Sequence, residues 1–299
     1  MSGVRVEVVS DYAAALPELR AVREAVFVRE QGVPREIELD AADPACRHVI
    51  ARAADGAAVG TGRLTPEHRI GRMAVLPAWR DRGVGAALLA ALVDEARRLG
   101  WRDVALHAQV PAIRFYARHG FLPAGARFVE AGLDHQTMRR VLDGVAAVES
   151  REAAHAAVLG VVAHARRELA VYSRDLDPGL FDQADTVAAL RRYAVDGGRT
   201  RVLLQDPVAP QRAIAPLLGL AQRLPTAFEF RAVEEPGDRA YPSAYVVNDR
   251  GGWLFRPLGH RFDGETRLDG AARARQLQAA FEPVWQRARP VTEFRALGI

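Results

Sequence analysis

At 299 residues, 49% hydrophobic and 26% charged, the chain has the length of about two ordinary domains and the balance of a folded globular protein. All 41 basic residues are arginine, which excludes any chemistry that needs a lysine, such as a Schiff base or a Walker-type phosphate loop. The single cysteine, Cys46, excludes an intramolecular disulfide and a thiolate zinc cluster, and no metal is expected. No apolar run approaches the ~18 residues of a membrane span. The net charge of +4 is spread evenly over both halves, so the pI of about 9.7 reflects no basic arm and does not point to nucleic acid. The first residues alternate like a strand and lack a signal peptide's apolar block, which points to the cytoplasm.

In chain order, the pattern predicts a helix over Ala14–Arg29, strands at Arg47–Ala53, Ala57–Leu64 and Arg69–Leu76, and a helix from Val84 to Leu99. In that last helix Leu88, Leu92, Ala96 and Leu99 form one apolar stripe, and Gly100 stands at the C-cap. A strand at Asp103–Ala108, a helix at Ala112–His119, a strand starting at Phe121–Pro123 and a final strand at His135–Leu142 complete the first region. The boundary falls at Asp143–Ser150, giving domains 1–146 and 147–299. The second region alternates again: helix 150–167, strand 169–174, helix 184–196, strand 200–205, helix 209–223, strand 227–233 and helix 270–288. Before that last helix, a hairpin at 244–256 turns through Asn248-Asp249-Arg250-Gly251-Gly252.

The passage with the clearest chemistry is Arg69–Leu89, a strand, then Arg80-x-x-Gly83-x-Gly85, then an amphipathic helix. Glycines let the backbone approach phosphate oxygens, and the N–H groups and dipole of a helix start favour an anion. Arg80 or Arg82 can add charge. This segment resembles the acetyl-CoA pyrophosphate motif of the GNAT acetyltransferases, Arg/Gln-x-x-Gly-x-Gly/Ala after a strand. Leu106–Phe121, with Phe115-Tyr116-Ala-Arg-His-Gly-Phe121, is similar to the same family's FYxxxGF signature.

The resemblance implies a GNAT fold, mixed α/β, with acetyl-CoA as co-substrate. It assigns the cofactor to Met73, Ala74, Val75, Arg80, Asp81, Arg82, Gly83, Val84, Gly85, Ala86, Gln109 and Ala112, with Tyr116 protonating the departing thiolate. Arg23–Pro34 followed by Glu36, Glu38, Asp40, Asp43 and His48 resembles the ElaA-like branch, whose pattern is shared with acyl-homoserine-lactone synthases. Glu30, Glu38 and Asp40 are thereby candidates to hold a cationic amine and accept its proton. His135 and Met138 match the branch's final strand, Met138 as core. His107 and His119 read as ordinary polar positions.

Residues 150–299 resemble one half of a phospholipase D-like fold but lack its His-x-Lys, so the second α/β domain is expected to be non-catalytic. It is a candidate for binding or for pairing two copies as a homodimer. The expected function is transfer of an acetyl group to an amine of a small molecule or peptide, directly within a ternary complex. The alternatives are an acyl-homoserine-lactone-type synthase and a non-enzymatic acyl-CoA sensor with a protein- or nucleic-acid-binding second domain.

Overall fold

In the computed structural model, which describes residues 3–38 and 40–294, Asp11 caps the first helix by accepting from the Ala14 N–H at 3.1 Å. The chain forms two compact units, one of residues 1–111 and 124–143, the other of 112–123 and 144–299. The segment 112–123 groups with the second unit, and Ala146 already lies in that unit's sheet.

The first unit contains β1 (Arg5–Val8), α1 (Tyr12–Arg23), α2 (Arg35–Glu38), β2 (Arg47–Arg52), β3 (Ala58–Leu64), β4 (Arg69–Val75), α3 (Val84–Arg98) and β5 (Asp103–Gln109). After α4 (Ile113–Arg118) come β6 (Leu122–Glu130) and β7 (Leu133–Val141). The sheet order is β1-β2-β3-β4-β5-β7-β6. The predicted helix over 14–29 is split: α1 ends at Arg23 and Glu24–Glu30 runs on as a π-helix. Such over-wide turns are uncommon and gather at functional sites.

Glycine decides how α3 meets the sheet. A Cβ at Gly60 would stand 2.9 Å from Leu88, and one at Gly62 would stand 2.8 Å from Leu92. With no side chain there, the stripe of α3 seats directly on β3. On the other face, Val22 and Val26 pack against Ala74.

The second unit contains α4, β8 (Ala146–Val148), α5 (Arg151–His164), β9 (Glu168–Ser173), α6 (Ala184–Val195), β10 (Arg199–Leu204), α7 (Val208–Arg212) and α8 (Pro216–Arg223). It continues through β11 (Phe228–Ala232), α9 (Pro236–Arg239), β12 (Ala244–Asn248), β13 (Trp253–Arg256), β14 (Gly264–Arg267), α10 (Ala271–Arg287) and β15 (Arg289–Pro290). Strands β9, β10 and β11 are parallel, and β12 returns antiparallel against β9. The predicted helix 209–223 breaks in two, with Ile214 in the left-handed region (φ 49°) and Pro216 opening α8. Tyr172, Leu203, Tyr245, Val247, Trp253, Leu277, Phe281 and Trp285 share one core cluster. Among the described residues no helix is long and apolar enough to cross a membrane.

Helix α4 packs against α5, and Arg114 pairs with Asp185 at 2.5 Å. The helices approach closely because position 160 is glycine: a Cβ there would stand 3.2 Å from the Ala117 carbonyl oxygen. Gly160→Val is expected to destabilise the protein by about 1–3 kcal/mol through overpacking, read as a lowered urea midpoint at unchanged slope.

Candidate functional site

Strands β4 and β5 run parallel but pair only at Arg69↔Ala105 and Ile70↔Leu106. Beyond those rungs β4 continues to Val75 and β5 to Gln109 without pairing to each other, so the sheet forks. An irregularity in β4 contributes: the β3–β4 register shifts between Thr61 and Arg63, and Arg72 adopts φ 49°. The expected carrier strand, Met73, Ala74 and Val75, is the arm of β4 beyond the fork.

After β4 the chain bends through Asp81 (φ 58°) and Gly83 (φ 82°) into α3. The first helical bond from this bend is Ala87 N–H to the Gly83 carbonyl, at 3.0 Å. The N–H groups of Val84, Gly85 and Ala86 meet no protein acceptor among the described residues. A helix start with open donors and a Cβ-free bend fits a diphosphate.

Of the two arginines offered for charge, Arg80 is committed elsewhere. Its Nη1 and Nη2 donate to Glu30 at 2.7 and 2.6 Å, and its Nε donates to the Val75 carbonyl at 3.1 Å. Arg82 lies over Trp79, 5.3 Å from the ring centre, with no carboxylate partner among the described residues. It is the cation available to an anion at the bend. Gln109 donates to Gln31 at 3.1 Å, tying the tip of β5 to the end of the π-helix. Ala112 and Tyr116 lie in the segment that groups with the second unit.

The three candidate acids are all paired. Glu38 is buried and bound to Arg23, which also donates to the Glu38 carbonyl and to Asp43 at 2.9 Å each. Arg63 Nη1 holds Asp40 at 2.7 Å and Asp43 at 2.5 Å. An N–H from Ala42, then Arg63, holds the Asp40 carboxyl below the usual range, and Arg80 does the same for Glu30. Asp40 and Glu30, stabilised in this way, accept a proton less readily than free carboxylates. Their pairing suits them to fixing the segment from α1 to β2.

Sequence reasoning passed over the arginines of this cluster. Arg23 stands in the inward stripe Leu19, Val22, Arg23, Val26, where an unexpected charge was the available signal. His48 and Met138 are buried; His48 donates from Nε2 to the Asp43 carbonyl at 2.8 Å, and burial lowers its pKa.

Two family models match the chain. Residues 15–142 match the acetyltransferase (GNAT) domain, and residues 150–297 match a domain of unknown function, DUF7931. The second match lends no support to the phospholipase D-like resemblance. The uncharacterized N-acetyltransferase YjcF of Bacillus subtilis is 36% identical over 124 residues, covering 40% of this chain and 87% of that protein. The chain belongs to the GNAT acetyltransferases.

Among solved structures, an acyl-CoA N-acyltransferase from Pseudomonas aeruginosa aligns at 29% identity and a TM-score of 0.43, covering 46% of this chain and 99% of that one. Escherichia coli ElaA aligns at 27% identity and a TM-score of 0.42, with the same coverages. By its match to the GNAT domain and to its Bacillus subtilis relative, this GNAT enzyme is an acyl-CoA-dependent N-acyltransferase, and it carries a second α/β region.

Two predictions follow from this geometry. Asp43→Ala leaves Arg23 and Arg63 with a missing buried partner and is expected to cost about 3–5 kcal/mol, measured by chemical denaturation. Gly83→Val forces a β-branched residue into the left-handed region at the bend and is expected to weaken acetyl-CoA binding at least ~10-fold by calorimetry.

Proposed function

We propose that this GNAT enzyme transfers an acetyl group from acetyl-CoA to an amine of a small molecule or peptide, directly, within a ternary complex. The observation that carries the reading is the trio of open N–H donors at Val84, Gly85 and Ala86, beside a fork whose β4 arm has no strand partner towards β5. The diphosphate rests on the bend with Arg82 at its rim, and the pantetheine arm follows Met73, Ala74 and Val75. Gln109 borders the fork on the β5 side. Asp81 and Gly83 supply the turn, and Arg80 braces it through Glu30.

Following the family resemblance, Tyr116 is the proton donor to the CoA thiolate. Burial pushes its phenol up to about 12, so it carries its proton at neutral pH and has one to give. The second unit serves as a non-catalytic module for binding or for pairing two copies, and the lone Cys46 fits a cytoplasmic setting.

The test is acetyl-CoA consumption across amines, polyamines, amino acids, aminoglycosides and peptides, run with wild type and Tyr116→Phe. Wild type is expected to turn over at least one class, with the variant's kcat reduced ~10²-fold and its acetyl-CoA affinity kept. Equal turnover by the variant removes Tyr116 from the mechanism. Tight acetyl-CoA binding with no turnover on any acceptor would favour a sensor over an enzyme of this specificity.

A further inference from the structure

Arg80 holds Glu30 as an anion, a backbone N–H and Arg63 do so for Asp40, and Glu38 is bound to Arg23, yet an amine is protonated at neutral pH and must lose a proton before it can attack. The imidazole of His135 is 8% exposed, on the strand next to β5, and the reading so far gives it no task. Its Nδ1 lies 2.9 Å from the Leu133 carbonyl oxygen. A carbonyl can only accept, so Nδ1 carries the hydrogen and Nε2 is left with its lone pair. No partner for Nε2 occurs among the described residues. The backbone thus fixes a buried imidazole in the tautomer that can take a proton.

Its position is equally specific. His135 is the cross-strand partner of Gln109, so the two side chains share one face of the sheet. Gln109 reaches Gln31 on that face, which places it on the side covered by the π-helix, while Leu106 and Ile70 point the other way. His135 therefore stands at the open end of the β5 arm, on the helix-covered side of the fork. Phe128 supports the ring, stacked at 5.9 Å and 23°. The titratable neighbours on the same face are His107, edge-on to Phe128 at 4.8 Å, and Glu130, which accepts from His107 Nδ1 at 2.9 Å.

We propose that Nε2 of His135 is the proton acceptor for the amine substrate, an inference that rests on the acetyl-transfer reading above. The ammonium gives one proton to Nε2, and the freed nitrogen lone pair bonds to the thioester carbon. The C–S bond breaks with its electron pair on sulfur, and the thiolate takes a proton from its donor. The new amide nitrogen sheds its remaining excess proton, which restores that donor, and the imidazolium releases its own to solvent. The net products are the acetamide, CoA thiol and one proton. Protonated His135 cannot accept, so activity falls on the acidic side.

The variant is His135→Asn, whose amide nitrogen can keep the bond to the Leu133 carbonyl while removing Nε2. With the best amine from the screen, the expected result is a kcat ~10²-fold lower, unchanged acetyl-CoA affinity and loss of the acidic limb of kcat/KM. Wild-type kcat with the limb intact overturns the proposal, as does a limb that vanishes in His107→Asn instead. A wild type that acetylates nothing overturns this proposal together with the acetyl-transfer reading; an active wild type matched by the variant overturns the base assignment alone. Independently of any variant's folding, long-range 1H–15N correlation on histidine-labelled wild type is expected to show His135 with its hydrogen on Nδ1. A hydrogen on Nε2 at neutral pH overturns the proposal.

Discussion

The site depends on two parallel strands that stop pairing. After Ile70 and Leu106 the ladder between β4 and β5 ends, and β4 runs on to Val75 paired with β3. The bend at Asp81–Gly83 and the open donors of α3 suit an anion. Together the fork and the bend suit both ends of a long molecule with an amide-bearing arm and a diphosphate.

A fork in a sheet loses hydrogen bonds, and the surrounding elements hold it open. Gly60 and Gly62 let α3 press directly on β3, which fixes the helix whose start forms the anion cradle. On the other face Arg23, Arg63, Glu38, Asp40 and Asp43 form a charge cluster between α1, β3 and the segment joining α2 to β2. Buried pairs of this sort contribute less to net stability than their number suggests, because desolvation offsets the attraction, but breaking one is costly. Their effect is to fix a loop-rich segment in one arrangement. Glu30, Glu38, Asp40 and Asp43, which stand close together in the sequence, are each tied to an arginine in the fold.

The arrangement leaves a division of labour. Charge is used for position, in the cluster and in the Arg80–Glu30 brace. The two groups proposed for proton transfer are neutral, the Tyr116 phenol that burial keeps protonated and the His135 imidazole whose tautomer the backbone selects. Neutral groups are less expensive to hold in a partly dry site than ions, and each can move a proton in the direction its own state allows.

The sequence by itself determined the ordered motifs: glycines at 83 and 85 before an apolar-striped helix, the Phe-Tyr pair before Gly120-Phe121, and Met138 as core. These are local, set by turn geometry and helical period, and they sufficed for the family. Only the tertiary structure decided what depends on partners far apart in the chain. Glu38 meets Arg23 across fifteen positions and Asp40 meets Arg63 across twenty-three. The line of acids in the sequence carries no sign of either contact. The same holds for His135, whose standing depends on lying opposite Gln109 in a ladder, and for residues 112–123, which pack with α5 although they follow β5 in the chain. Periodicity reports which face a residue is on; which group waits on the other side is set by long-range packing.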